Sequence, residues 1–192
     1  MELLTGGGLA LAAGLNAYVP LLLVALLARF TSLVALPQQW AWLTGDVALV
    51  VLAVLLLVEV VADKVPSVDH VNDLLQTVVR PTAGGIVFAA GSTARTPSVS
   101  HPADLLQGPI IVPFLVGVVL ALATHLAKAA LRAGVNLSTA GVGAPVASTV
   151  EDVFSVSLGV LALLLPLLVL VVVVAAVAIG VGMVRRRRRR VG

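Results

Sequence analysis

The sequence predicts an all-α, polytopic integral membrane protein of about five transmembrane helices, with a third element that is short, kinked or re-entrant. Three observations carry this expectation. Of the 192 residues, 60% are apolar and only 11% are charged, against about 45–50% and about 25% in a soluble domain. Mean hydropathy is +1.14, more apolar surface than a soluble monomer can hide from water. The apolar residues also fall in charge-free runs, and a helix needs about 20 of them to cross a hydrocarbon core. Absences narrow the chemistry further. With no cysteine, a disulfide framework, a thiolate metal site and a cysteine nucleophile are excluded. Aromatics at 4% are too few for stacking single-stranded nucleic acid.

The first span is expected between Leu3 and Ala28, where no charge occurs. It lacks the positive n-region of a cleaved signal peptide and should be retained. Gly14, Asn16 and Pro20 interrupt it, so it is either one kinked span or two half-helices meeting near Asn16. The second span runs from Val47 to about Lys64, with Asp46 as its N-cap and Pro66 marking its end. The third element is harder. Only 14 residues separate Arg80 from Arg95, about 21 Å of helix. The apolar face of Val68, Val71, Leu74, Leu75, Val78 and Val79 extends it to a helix over 68–94, bent at Pro81. The fourth span is Pro109 to Arg132. The last begins at a Ser148–Glu151 capping box and runs to Val184 with a kink at Pro166. Residues 1–184 thus form a single helical transmembrane domain, and 185–192 a basic cytoplasmic tail.

Orientation follows from the arginines. Six of the twelve basic residues are Arg185–Arg190, which convert a body of six basic and nine acidic residues into a net +3. Positive residues stay cytoplasmic, and Arg29 prefers the same side. In the plasma membrane this predicts an outside N-terminus, a cytoplasmic C-terminus and an odd number of spans. Following a span directly, the arginine run is expected to bind anionic lipid, not nucleic acid.

Charges inside a membrane are costly and mark function by default. Glu59 and Asp63 lie four apart on one helix face and need compensation. Thr124, His125, Lys128 and Arg132 share an arc of about 100° on the fourth helix and supply it. Asp69, Asp73, Gln76 and Arg80 form a second stripe, acidic and without aromatics. It is therefore expected to face the protein interior or a watery cavity, not a lipid surface. Lys64, Glu151 and Asp152 complete the candidate site. Asn16, Pro20, Pro81, Gly84 and Asn136 are candidate helix breaks, where unwound backbone can meet a solute. Gly6, Ala10 and Gly14 follow small-xxx-small spacing, a motive for a homo-oligomer. The histidines at 70, 101 and 125 lack a metal-ligand spacing, and no serine sits in a nucleophile elbow, so neither a metal, a cofactor nor an enzymatic activity is expected.

The stretches Gly14–Pro20, Ala62–Pro66 through Asp69, Arg80-Pro81 with Gly84, Thr124-His125 with Lys128 and Arg132, and Glu151-Asp152 resemble a bacterial membrane family known as domain of unknown function 4126. The resemblance implies a small helical membrane protein and transfers no activity. On the residues themselves, the expected function is a small transporter or channel for an unknown solute or ion. Its polar site would lie between helices two, three and four. A non-transporting membrane scaffold, or a lipid- or partner-interacting protein, is the alternative.

Overall fold

Asn16 turns the chain back on itself. In the computed structural model, which describes residues 2–36, 38–64, 66–92 and 111–175, helix α1 (Glu2–Leu15) ends there and α2 (Tyr18–Phe30) begins two residues later. The Asn16 carboxamide oxygen accepts the backbone N–H groups of Tyr18 and Val19 (3.1 and 3.2 Å), satisfying donors that a new helix leaves unpaired. Pro20 sits inside the first turn of α2, where its missing N–H costs nothing. The break is therefore at Asn16, and Pro20 is not part of it.

The two helices run antiparallel, which their neighbours reveal. Along α6 (Ala144–Leu164), Ser155 donates to the Ala12 carbonyl, Gly159 lies under Leu23, and Ala162 lies against Gly8. Leu9 of α1 and Val24 of α2 also line one small pocket together. Of the two forms expected for the first segment, the structure has the half-helices, folded into a hairpin. A 3-10 helix (Gln38–Thr44) then leads into α3 (Asp46–Ala62). Asp46 is not the N-cap of α3; Gly45 holds that position, and Asp46 instead pairs with Arg29 at 2.5 Å.

α4 (Pro66–Ser92) is one continuous helix through Pro81, so neither Pro81 nor Gly84 unwinds it. Proline removes one hydrogen bond, to the Thr77 carbonyl, but the flanking turns are fixed by packing on α1 and α5. The 27 residues reach about 40 Å, matching the helix expected over 68–94 and exceeding the short element that the charge-free stretch alone would give. α5 (Ile111–Thr139) continues seven residues past Arg132. Asn136 is helical, and the break falls at Ala140 and Gly141, both at positive φ (51° and 85°). α6 starts at Ala144 with Pro145 in its first turn, one turn before the expected capping box. Ser148 is consequently buried inside the helix and caps nothing. The helix is interrupted at Leu165 (φ −139°, ψ 66°), because a residue preceding proline avoids helical backbone, and α7 (Pro166–Ala175) follows. Pro109, the Asp69 side chain, the end of the last span at Val184 and the Arg185–Arg190 run lie outside the described residues.

Every regular element among the described residues is a helix, with no strand among them. α1 is the central element, fenced by α4, α5 and α6. Gly6, Ala10 and Gly14 are spent on this packing, so they do not present a face to a second copy. A β-carbon on Gly14 would stand 2.5 Å from the Ala121 carbonyl oxygen, and one on Gly84 would stand 2.9 Å from the Gly117 carbonyl oxygen. Backbones approach this closely only where side chains are absent.

Polarity is inverted relative to a water-soluble bundle. The α4 residues Leu74, Leu75 and Val78 are exposed, while Gln76 and Arg80 on the same helix are buried. α5 buries Gly117, Ala121, His125, Lys128 and Arg132 along one stripe and exposes Val112, Leu115, Val119 and Leu126. α5 and α6 are long and apolar enough to cross a membrane.

Gly14→Ala should destabilise the bundle by about 1–3 kcal/mol, the usual cost of overpacking, because the obstructing atoms are backbone. Gly134→Ala, with open space around its position, should instead stabilise α5 by roughly 0.5–1 kcal/mol. Unfolding in detergent with both variants side by side checks the contrast, and equal effects would refute it.

Candidate functional site

The ends of the helices bring the buried charges to one level. α3 contributes Glu59 from its last turn and Asp63 as its C-cap, α4 contributes the stretch from its second turn to its middle, α5 its second half and α6 its third turn. The α1–α2 hairpin adds its tip. Antiparallel neighbours joined in this order place those segments together, although they span more than 130 residues of sequence.

Asp63 is the hub. One of its oxygens lies 3.2 Å from Lys128 Nζ, 3.6 Å from Arg132 and 3.7 Å from Arg80; the other accepts the Asn72 carboxamide at 2.6 Å. Lys128 also reaches Glu151 at 3.1 Å and donates to the Leu15 carbonyl at 3.0 Å. That carbonyl belongs to the C-terminal end of α1, where helix dipoles favour a cation. Arg132 pairs with Glu151 at 2.5 Å. Glu151 therefore serves this network, and not the Ser148 cap expected of it.

Arg80, fully buried, joins this group to a second one. Its Nη2 donates to Glu59 at 2.8 Å, its Nη1 lies 3.9 Å from Asp73, and Nη1 also meets His125 Nδ1 at 3.0 Å. A guanidinium only donates, so Nδ1 must accept. His125 is thus neutral here, with its proton on Nε2 directed to Thr77 Oγ1 at 3.1 Å. The Thr77 hydroxyl passes its own hydrogen to the Asp73 carbonyl. A third, more open group has Asp152 accepting from the Asn16 carboxamide at 3.1 Å and facing Lys64 at 3.6 Å.

Among the described residues the network sets five carboxylates (Glu59, Asp63, Asp73, Glu151, Asp152) against four cations (Lys64, Arg80, Lys128, Arg132). Compensation is uneven. Asp63 has three cations within 4 Å, whereas Glu59, 1% exposed, has Arg80 alone, and Arg80 is shared with Asp63 and Asp73. The second Glu59 oxygen, Oε2, has no hydrogen-bond partner, nor does Gln76 Oε1. No group of three or more His, Asp or Glu side chains among the described residues is arranged to hold a metal ion.

The structure gathers Glu59, Asp63, Lys64, Asp73, Arg80, His125, Lys128, Arg132, Glu151 and Asp152, with Asn16 at the edge. Pro20, Pro81 and Gly84 bring no polar side chain to them, and the Asn136 side-chain oxygen has no hydrogen-bond partner among the described residues. The sequence reading missed Asn72 and Thr77. Asn72 could have been found, because it falls three residues after Asp69 and four before Gln76, on the same stripe. Thr77 sits beside that stripe and enters only because His125 reaches it from α5.

A family model described as Domain of unknown function (DUF4126) matches residues 3–186. No curated protein and no solved structure matches the chain.

Removing one partner from a buried ion pair costs on the order of 3–5 kcal/mol, whereas a partly exposed pair contributes about 1 kcal/mol or less. Asp63→Asn should therefore be far more damaging than Asp152→Asn, since the Lys64–Asp152 pair is 37% and 19% exposed. In a double-mutant cycle, Lys128→Met should recover part of the Asp63→Asn loss. Strictly additive losses would mean that the two side chains are not coupled.

Proposed function

The chain belongs to the Domain of unknown function (DUF4126) family, and we propose that it is a small multi-span membrane transporter or channel whose site is the buried charge network between α3, α4 and α5. The observation that carries this reading is Glu59, a buried carboxylate served by one shared arginine. A network built solely to lock helices together gains nothing from an undercompensated carboxylate, since each uncompensated charge in low dielectric costs several kcal/mol. A site that takes up a small cation or polar solute needs such a group. The inverted polarity of α4 and α5 supports lipid as the surrounding solvent. A second reading, a non-transporting scaffold, draws on Asp63, whose three cations and one amide make a rigid cross-link of helix ends.

We propose a topology in which α3, α4, α5 and α6 alternate across the plasma membrane. At 17, 27, 29 and 21 residues they measure about 26, 40, 44 and 32 Å, against a core of about 30 Å. The sequence expectation of five counted the first segment once. Folded as a hairpin, it contributes two crossings or none, and the total becomes even. Both chain ends then share the side of Arg29, which the positive-inside rule makes cytoplasmic. The arginine run meets anionic lipid there, and the charge network faces the outer side.

Two experiments test these readings. Purified protein in liposomes is expected to pass protons or a small ion, and Glu59→Gln to abolish that flux. Folded protein with no flux for any ion or solute would leave the scaffold. Because the chain has no native cysteine, single cysteines at Glu2 and Gly192 can be labelled cleanly. Both should react only from the cytoplasmic side; reaction from opposite sides would restore an odd number of crossings.

A further inference from the structure

The helix that carries Glu59 is unusually detached from the rest of the bundle. Within α3 only Leu52 and Glu59 are buried; Val47, Val50, Val54, Leu57, Val58 and Val61 all face outward. In lipid, apolar side chains gain little by choosing a neighbouring helix over an acyl chain. α3 is therefore held mainly by polar contacts at its two ends. At its N-terminus Asp46 pairs with Arg29, an exposed contact of the kind that contributes little. At its C-terminus Glu59 and Asp63 pair with Arg80, Lys128 and Arg132.

Those two carboxylates are not equivalent. Asp63 keeps its charge among three cations. Around Glu59 the facing groups are Tyr18 from α2, Arg80 from α4, Lys128 from α5 and Asp63 on its own helix, with neutral His125 behind Arg80. Among the described residues Arg80 is the one cation in contact, and Oε2 has no hydrogen-bond partner. A proton added at Oε2 neutralises the less compensated acid, brings the network among the described residues to four carboxylates against four cations, and strips the ion-pair attraction from the Arg80 contact, leaving a hydrogen bond from a cationic donor to a neutral carboxylic acid. What the contact loses is the Coulomb attraction between two unit charges, which is weakly screened in a buried site.

Resting on the transport reading above, we propose that the ion taken up is a proton, that Glu59 binds it, and that the charge of Glu59 decides how tightly the last turn of α3 is held against α4. With Glu59 ionised this hold is tight. Proton uptake loosens it while Asp63 stays tied to its three cations, so α3 pivots about that end and opens the network at Glu59.

The test uses the full chain in lipid vesicles. Infrared difference spectra across a pH titration should show a carboxylic-acid carbonyl band that is lost in Glu59→Gln and shifted, not lost, in Glu59→Asp. Spin labels on the exposed positions Val54→Cys and Leu115→Cys should report a distance that shifts over the same pH range. In the Glu59→Gln background, which mimics the protonated state, the distance should stay at its low-pH value. A titrating band unaffected by either Glu59 variant would overturn the proposal, as would a distance indifferent to pH in the native protein. If Glu59→Gln does not fold, the Glu59→Asp band shift and the native distance change decide the matter. Band and distance shifts without any flux would overturn the transport reading alone. Flux without the Glu59 band would overturn this proposal alone.

Discussion

The convergence of three cations on the Asp63 carboxylate is the constraint on which the rest of the structure depends. Arg80, Lys128 and Arg132 come from two different helices, and each is almost fully buried. None can be buried alone, because desolvating an isolated charge costs more than any packing contact returns. Asp63 therefore fixes where α4 and α5 sit relative to the end of α3. Glu151 extends the same requirement to α6, and the Leu15 carbonyl extends it to the end of α1.

Small residues answer that constraint from the other direction. Charged groups can meet in the middle of the bundle only if the backbones around them come close. The stripe of Gly6, Gly8, Ala10, Ala12, Ala13 and Gly14 on α1 lets α4, α5 and α6 approach on three sides. Gly84 and Gly117 do the same where α4 crosses α5. Dense contact of this kind supplies dispersion energy between the backbones themselves. α3 stands apart. It offers almost nothing but branched and long apolar side chains, and so it is tied by charges while the other helices are tied by shape.

Where sequence patterns misled, the cause was a local signal with two physical outcomes. Ser148 followed by Glu151 is the pattern of a capping box, yet the same spacing places both residues on one helix face. Because Pro145 starts α6 a turn earlier, the face reading wins: Ser148 is buried and Glu151 binds Arg132 and Lys128. Pro81 reads as a break, but a proline in a helix packed on two sides forfeits one hydrogen bond and little else. Asn136 in a stretch rich in Gly, Ser and Thr reads as loop, while the turn falls at Ala140 and Gly141, where φ is positive. Local chemistry marks candidate breaks. Packing chooses among them.

The sequence by itself determined the helical class, the arcs on which the charges lie and the interruption at Asn16. These follow from composition, from 3.6-residue periodicity and from the side-chain chemistry of one asparagine, and all are local properties. Only the tertiary structure decided that the interruption is a reversal, that Arg80 joins Glu59 to Asp63 while Lys128 and Arg132 join Asp63 to Glu151, and that Asn72 and Thr77 take part. A hairpin and a kink need the same residues at the bend. What distinguishes them is the surface offered by α4 and α6, which begin 50 or more residues beyond the bend in the chain. Partner choice among buried charges is likewise a property of where helices cross, which no single helix carries.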